Sequence, residues 1–318
     1  MKYYGTLGPA CEKKEILIQM IQNGMSGVRL NLSHSNLREC EKWIEQLRLA
    51  EHDTGKKQER IIDLNGPELR VEGRQTPLQL TQGEVISFAR IAIPENCKRY
   101  LTQGQIILLD DGKIQVEVLE DKESGKVLRG GLLNPRKSIA FIGHETEAPT
   151  LTLADYKNIK DINKYGVTAV MLPFVRGKED LQNLKSALIE AGAEAVSIFA
   201  KIENRTGVMT LEELFPYCDE IVIARGDLGN SCNLWELPRI QEDIANRCKK
   251  WGKPFMVVTQ MLASMEHSKV PTRAEVTDIF HAARQGAASL MLTGETAAGG
   301  YPVEAMEYLV RTAEEAQK

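Results

Sequence analysis

The chain alternates between short apolar runs and longer stretches with helical spacing. Runs rich in Val, Ile and Leu, each followed by a polar turn and an amphipathic segment, are typical of parallel strands joined by crossover helices. We predict eight such strands, at about 3–7, 27–33, 60–65, 168–175, 196–203, 220–226, 254–260 and 288–294. Eight strand–helix units in succession favour a closed (β/α)8 barrel (TIM barrel) of the α/β class, because an open sheet would leave edges to cover.

Helical spacing fills most of the gaps between these strands. The predicted helices lie at about 13–23, 37–51, 153–165, 178–191, 235–251, 273–285 and 303–316. Thr152 and Thr272 are candidate N-caps, and Pro302 suits a first helical turn.

The pattern changes between residues 67 and 149. Short alternating strands are predicted there at 84–89, 106–109, 114–119 and 127–130, with turns at Asp111-Gly112 and Ser124-Gly125. We therefore predict a small β domain, residues 67–149, inserted after strand three of a barrel formed by 1–66 and 150–318. On the face where barrels carry their active sites, such an insertion would act as a lid.

Composition narrows the class of protein. Hydrophobic residues make up 42% and charged residues 26% of the 318 positions, which are ordinary globular values. A net charge of −4 argues against a nucleic-acid partner. No apolar run approaches the roughly 18 residues of a membrane span, and no signal-peptide core is present, so we predict no membrane partner and a cytoplasmic location. Six scattered cysteines are expected to be reduced and packed.

Charged and hydroxyl side chains follow the ends of six predicted strands, where barrel proteins assemble a shared site. They are Arg29, Asn31 and Ser33, then Asp63, Lys201 and Glu203, Arg225 and Asp227, Thr259, and Thr293. Glu203 and Asp227 offer two hard oxygen ligands, which suits Mg²⁺ with waters or substrate oxygens. Arg29 and Lys201 add positive charge without any Walker or Rossmann motif, so a small anionic, metal-binding substrate is indicated.

A second interpretation of the same residues stays open. Lys201 with Glu203, and Arg225 with Asp227, could be structural ion pairs that line the barrel rim.

Short motifs, several of them at these strand ends, occur in a specific order along the chain. They are TLGPA at 6–10, RLNLSH at 29–34, GPELR at 66–70, LDDG at 109–112, KIEN at 201–204, ARGDLG at 224–229, TQML at 259–262, PTRAE at 271–275 and GETAAG at 294–299. In this order, across nearly the whole chain, they resemble the pyruvate kinase family.

The resemblance implies an activity and its cations. The activity is transfer of a phosphoryl group from phosphoenolpyruvate to ADP, giving pyruvate and ATP. Glu203 and Asp227 would hold Mg²⁺ (or Mn²⁺). The residues that match the family's K⁺ site are Asn31, Ser33, Asp63 and the Leu64 carbonyl.

The resemblance also implies roles for the remaining residues. Arg29 and Lys201 would stabilise charge on the phosphoryl group, and the backbone at Arg225, Gly226 and Asp227 would bind the substrate carboxylate. Hydroxyls at Thr259, which also contacts substrate, and Thr293 would serve the protonation of the enolate. The residues that match nucleotide-side positions are His34, Arg70 and Lys137.

The chain departs from the family at several places. It ends at Lys318, one helix past strand eight, so we expect neither the allosteric domain with its sugar-phosphate activation nor the usual tetramer. A homodimer through barrel helices stays open. Asn65, Pro173 and the segment 230–233 differ from the family pattern and put substrate choice and assembly in question.

Two alternative functions follow from these departures. The same Mg²⁺-enolate site could act on a different enolpyruvate substrate, or the chain could be a non-catalytic module that senses phosphoenolpyruvate or a nucleotide.

Overall fold

The computed structural model describes residues 1–33, 35–73, 75–145 and 147–318. Eight parallel strands of these residues form a closed barrel: β1 (Lys2–Thr6), β2 (Gly27–Asn31), β3 (Glu59–Asp63), β11 (Ala169–Leu172), β12 (Ser197–Ile202), β13 (Glu220–Ala224), β14 (Phe255–Val258) and β15 (Ser289–Leu292). Around the barrel the order is β1-β15-β14-β13-β12-β11-β3-β2, so β1 and β15 close the ring. The predicted barrel is confirmed.

Helices separate the strands. They are α1 (Lys14–Gln22), α2 (Glu41–Thr54), α3 (Phe88–Ile91), α4 (Leu153–Tyr165), α5 (Lys178–Glu190), α6 (Arg205–Met209), α7 (Leu211–Leu214), α8 (Arg225–Asn230), α9 (Leu237–Trp251), α10 (Arg273–Arg284), α11 (Gly294–Ala297) and α12 (Pro302–Glu315). Short 3₁₀ turns occur at Pro9–Cys11, Glu95–Tyr100, Phe215–Tyr217, Leu234–Glu236 and Ala263–Glu266. Among the described residues, no helix combines the length and apolar character that crossing a membrane requires.

The predicted helix starts at Thr152 and Thr272 are confirmed. Each threonine hydroxyl accepts a hydrogen bond from the backbone N–H three residues later. The side chains of Asp155 and Glu275 in turn accept from the backbone N–H of the threonine, which completes a capping box. Pro302 is the first residue of α12, as predicted. The prediction for α2 began four residues too early, because the Leu37 N–H donates to Asn158 Oδ1 instead of entering a helix.

The barrel interior is apolar. Because side chains alternate along a strand, every second residue faces inward. The inward cluster comprises Tyr4, Ile61, Ala169, Met171, Phe199, Val222, Ala224, Met256, Val258 and Met291, all at most 5% exposed. The six cysteines are free and buried, as predicted.

The inserted segment forms its own β structure. Its strands are β4 (Leu78–Leu80), β5 (Val85–Ser87), β6 (Ile106–Leu109), β7 (Ile114–Val118), β8 (Ser124–Arg129), β9 (Gly131–Leu133) and β10 (Ile139–Phe141). One sheet has the order β10-β6-β7-β8-β5 and a second pairs β4 with β9. Both contribute to a separate apolar core that includes Leu80, Phe88, Ile107, Val116 and Leu133.

Two local predictions in this segment are wrong. The turn placed at Ser124-Gly125 lies a few residues earlier, because the Asp121 carboxylate accepts from the Glu123 and Ser124 backbones and fixes the turn there. Gly125 instead sits in β8, where a Cβ atom would lie 2.5 Å from a methyl carbon of Val116. The strand predicted to reach residue 89 ends at Ser87, whose hydroxyl caps α3.

By their contacts, the residues divide into two compact units. One comprises Met1–Gly66, Pro149–Arg225 and Pro238–Lys318, and the other comprises Pro67–Ala148 with Gly226–Leu237. The predicted division placed 226–237 with the barrel. In the structure this segment packs with the inserted unit, where the Asn230 side chain lies against Gly112.

Gly8, after β1, provides the first test of the fold. A Cβ atom at this position would lie 2.4 Å from the carbonyl oxygen of Ala297, a backbone atom that cannot move aside cheaply. Gly8→Ala is therefore expected to lower the free energy of unfolding by about 1–3 kcal/mol in urea titrations. Gly300→Ala is the matched control, because its nearest neighbour would be 3.6 Å away. Equal stability of the two variants would contradict this packing.

Candidate active site

Four charged side chains meet at the carboxyl ends of β2, β3 and β12. Asp63 Oδ2 accepts from Arg29 Nε at 2.9 Å and Nη2 at 2.7 Å, and it lies 3.1 Å from Lys201 Nζ. Lys201 Nζ is also 2.9 Å from Glu203 Oε1. All four side chains are at least 87% buried, so two cations and two carboxylates balance in a site of low solvent access.

This balance sets the charge states of the cluster. Burial by itself would raise the pKa of Asp63, but Lys201 and Arg29 outweigh it and hold that pKa below its ordinary value. Burial would likewise lower the pKa of Lys201, but Asp63 and Glu203 raise it further than burial lowers it. Asp63 is therefore ionised and Lys201 protonated at neutral pH.

Asp63 belongs both to this cluster and to the residues that the resemblance assigns to K⁺. Asn31 and Asp63 are the last residues of β2 and β3 and are partners in the strand register. Asn31 Oδ1 accepts from the Ser33 hydroxyl at 2.8 Å. Asp63 Oδ1 is buried and has no hydrogen-bond partner among the described residues. The Leu64 N–H donates to the Met171 carbonyl at 3.1 Å, which fixes the backbone after β3.

Glu203 is held by a backbone group that the sequence did not reveal. Phe174 follows β11 with a φ of 53°, in the left-handed region, and its N–H donates to Glu203 Oε2 at 2.8 Å. The preceding residue, Pro173, departs from the family pattern and packs against Gly66. A Cβ atom added at Gly66 would lie 2.5 Å from the proline ring. The loop after β11 therefore orients the Glu203 carboxylate, which directly follows β12.

Arg225 directly follows β13, and its side chain binds Asp278 and the Thr259 carbonyl, whereas the alternative interpretation paired it with Asp227. Its Nη1 atom binds both oxygens of Asp278 on α10, at 2.8 and 2.7 Å. Its Nη2 and Nε atoms donate to the Thr259 carbonyl at 2.8 and 3.2 Å. Thr259 and Gln260 both have positive φ, 82° and 55°, so Arg225 braces a strained turn after β14.

Thr293 follows β15, and its hydroxyl donates to Glu295 Oε2 at 3.1 Å. Glu295 is 1% exposed and also accepts from the backbones of Thr293 and Leu262, at 2.7 and 3.0 Å. It thereby links the segments after β14 and β15. The side chain of Thr259, in contrast, makes no hydrogen bond within the described residues.

The remaining predicted site residues belong to the inserted unit or fall outside the described ranges. Gly226 and Asp227 occupy the first turn of α8 and are grouped with the inserted unit. Arg70 and Lys137 lie close together in that unit, because the backbone of Arg70 forms an isolated antiparallel β-bridge with Ser138, the residue after Lys137. Arg70 pairs with Glu68 and Lys137 with Asp110. His34 lies outside the described residues.

Asp155, which sequence reasoning missed as a site residue, supports the loop after β3. Fully buried, it accepts from the backbones of Asn65 and Gly66 at 2.8 and 3.1 Å, as well as from Thr152. The only feature of the sequence that pointed to Asp155 was its capping-box spacing from Thr152. That spacing predicts the start of a helix but not a contact with a loop 90 residues earlier.

The closed barrel and the charged groups at its strand ends place the chain among the (β/α)8-barrel proteins. Comparison with known sequences narrows this class, because the model of the family described as "Pyruvate kinase, barrel domain" matches residues 1–306. The chain belongs to the pyruvate kinase family.

Three curated relatives show the extent of the match. The chain is 37% identical to a pyruvate kinase of Aeropyrum pernix, over all of this chain and 71% of the relative. It is 34% identical to that of Sporosarcina psychrophila and 36% identical to that of Geobacillus stearothermophilus, over 97% and 95% of this chain. The chain spans only 55% and 54% of those two proteins.

Proposed function

We propose that this chain catalyses phosphoryl transfer from phosphoenolpyruvate to ADP, giving pyruvate and ATP. The observation that carries the proposal is the buried cluster in which Arg29 and Lys201 converge on Asp63, with Glu203 beside them. This arrangement has two fixed cations in a site of low solvent access. Fixed cations are what phosphoryl transfer needs, because catalysis of this reaction depends mainly on positioning and electrostatic stabilisation.

Arg29 and Lys201 would stabilise negative charge on the transferring group. Asp63 already holds both of them in place, so little reorganisation accompanies the reaction. The raised pKa of Lys201 keeps it cationic throughout the neutral range. A lysine that lost its proton on burial could not perform this role.

The residues fit the two cations that the family implies. Asp63 Oδ1, buried and without a hydrogen-bond partner among the described residues, is a ready oxygen ligand for K⁺, with Asn31, Ser33 and the Leu64 carbonyl as the other proposed donors. Glu203 is proposed as a Mg²⁺ ligand, with Asp227 assigned by resemblance alone. When bound, Mg²⁺ neutralises phosphate charge. The described residues contain no group of three His, Cys, Asp or Glu suited to a metal, which fits a cation that takes further oxygens from substrate and water.

After phosphoryl transfer, the enolate carbon must gain a proton. Thr259 Oγ has no hydrogen-bond partner within the described part of the chain, which leaves it available to donate towards the substrate. Thr293 Oγ already donates to Glu295. We therefore assign Thr259 the direct role and Thr293 a supporting one.

The first experiment measures pyruvate formation from phosphoenolpyruvate and ADP with Mg²⁺, in K⁺ and in Na⁺ at equal ionic strength. We expect turnover that is much faster in K⁺, because K⁺ loses its hydration water more easily than Na⁺ and the buried Asp63 oxygen is its proposed ligand.

Other outcomes would contradict the proposal. Thermal stabilisation by phosphoenolpyruvate without turnover would favour a sensing role, and the absence of ADP binding would favour a different enolpyruvate substrate. The cytoplasmic location and the homodimer through barrel helices stay predictions.

A further inference from the structure

A cavity opens at the amino ends of the barrel strands, opposite the charged cluster described above. Its volume is about 740 Å³. Four polar residues that line it are the first residues of their strands: Lys2, Glu59, Ser197 and Glu220. A fifth polar residue, Ser289, is the first residue of β15 and donates its hydroxyl to Glu220.

These five residues form a polar layer at the base of the barrel. Two positions further along the same strands lie Tyr4, Ile61, Phe199, Val222 and Met291, which all belong to the inward apolar cluster. By the alternation of strand side chains, the first residues also face inward. Layers inside such barrels are ordinarily filled by bulky apolar side chains, so a layer with three ionisable groups requires an explanation.

Of the four carboxylate oxygens in this layer, three have a hydrogen-bond partner in the described part of the chain and one does not. Both oxygens of Glu59 are engaged, one with Lys2 Nζ at 2.5 Å and the other with the Tyr4 hydroxyl at 2.7 Å. Glu220 is 7% exposed, and its Oε1 accepts from the Ser289 hydroxyl. Its Oε2 has no hydrogen-bond partner within the described residues, although the residue lines the cavity.

The surroundings of Glu220 place its ionisation near neutral pH. Burial raises its pKa to about 7, against the lowering effect of the Ser289 hydrogen bond and of Lys2, and Glu59 adds repulsion. Lys2 already pairs with Glu59. Above pH 7, Glu220 is therefore a largely buried carboxylate with no ion pair among the described residues, and a bound cation would stabilise it. The other ionisable groups around the cavity are the Met1 amino group, Lys2, Tyr4, Glu59 and Asp219.

The walls of the cavity indicate what kind of cation fits. Ala169, Phe199, Pro254 and Ala287 contribute apolar surface. No trio of metal-binding side chains occurs in the described ranges, and one bare ion would leave most of the volume empty. An alkyl group with a cationic head matches both the apolar walls and the Glu220 oxygen that has no hydrogen-bond partner within the described residues.

We propose that this basal cavity binds a small organic ammonium ion. Its N–H groups donate to Glu220 Oε2, and its alkyl part packs against the apolar wall that includes Phe199 and Pro254. The site is separate from the proposed catalytic cluster, so its occupancy can be tested without any measurement of turnover.

The test uses propylammonium chloride as the probe and follows thermal unfolding and calorimetric binding of the whole chain. Propan-1-ol controls for the alkyl group, and potassium chloride controls for ionic strength. We expect propylammonium alone to raise the Tm well above pH 7, and the effect to disappear well below pH 7 as Glu220 takes up a proton. In Glu220→Gln the affinity is expected to fall about tenfold or more, because an ionic hydrogen bond is lost.

A second variant keeps the proposal testable if Glu220→Gln does not fold. Ser289→Ala removes a hydrogen bond that lowers the pKa of Glu220, so the pH midpoint for binding must move upward. The proposal is overturned if propylammonium gives no shift, if potassium chloride gives the same shift, or if binding is unchanged in Glu220→Gln. The proposal is also overturned if the pH midpoint for binding is the same in Ser289→Ala as in the wild type.

Discussion

Replacement of Lys201 by Met is expected to lower kcat for pyruvate formation by about 10³-fold or more. Lys201 is one of two fixed cations in the candidate site, and its ammonium group lies between Asp63 and Glu203. Methionine preserves the approximate length of the side chain but supplies no charge. The loss should appear in kcat, because the missing interaction is strongest in the transition state.

The same substitution is expected to destabilise the fold. It leaves Asp63 and Glu203 with Arg29 as the remaining cation of the cluster, and breaking a buried ion pair costs about 3–5 kcal/mol. Activity must therefore be measured at a temperature at which circular dichroism shows the variant folded. Lys201→Arg should recover stability better than activity, because a guanidinium keeps the charge but not the position of Nζ.

A surface lysine provides the matched control. Lys164 is 59% exposed and pairs with Glu41 at 3.3 Å, so Lys164→Met should change neither kcat nor stability appreciably. Full activity in Lys201→Met would rule out the proposed function.

Asp63→Asn is the second substitution with a large expected effect. It removes the carboxylate that holds Arg29 and Lys201, and leaves two buried cations facing Glu203 alone. We expect the free energy of unfolding to fall by about 3–5 kcal/mol at neutral pH. We also expect any preference of turnover for K⁺ over Na⁺ to disappear, because the unpartnered Asp63 oxygen is the proposed anionic K⁺ ligand.

The pKa of Asp63 determines how the stability difference between wild type and Asp63→Asn should change with pH. The pKa of Asp63 is lower in the folded protein than its ordinary value of 3.8, so its charge stabilises the fold fully above that value. This contribution is lost as the pH falls through the lower, folded pKa. Urea unfolding over an acidic pH series should therefore show the stability gap between wild type and Asp63→Asn closing at low pH.

Asp53→Asn is the control for this titration, since Asp53 is an exposed partner of Lys14. A gap between wild type and Asp63→Asn that stayed constant with pH would show that the cluster is held by something other than the Asp63 charge.

The sequence predicted the barrel because its strands are continuous buried runs, a pattern that survives without knowledge of the partners. The inserted unit was predicted less completely. β4, β9 and β10 are only three residues long, which is too short for alternation to be distinguished from a loop. The short helices α6, α7 and α11 were missed for the same reason, since one turn carries no periodicity.

Within the candidate site, side chains were predicted better than their partners. The charged residues at strand ends could be identified because position along a strand determines which end of the barrel a side chain occupies. The N–H of Phe174 could not be found this way, since its direction depends on a positive φ. Nor could Asp278, which lies on a helix far along the chain from Arg225 and meets it only through tertiary packing.

The closure between β1 and β15 bears on how the chain reaches its native state. Lys2 pairs with Ser289, and the Thr6 backbone exchanges two hydrogen bonds with the Thr296 hydroxyl, so the seam joins residues nearly 290 positions apart. Contacts of such sequence separation form slowly, because ordering the intervening chain costs entropy before the contact contributes. During synthesis, the edge of β1 that pairs with β15 therefore stays unpaired until β15 has been made. An exposed strand edge is where a growing chain is most open to aggregation, so the last strand to be made completes the barrel and also removes its main hazard.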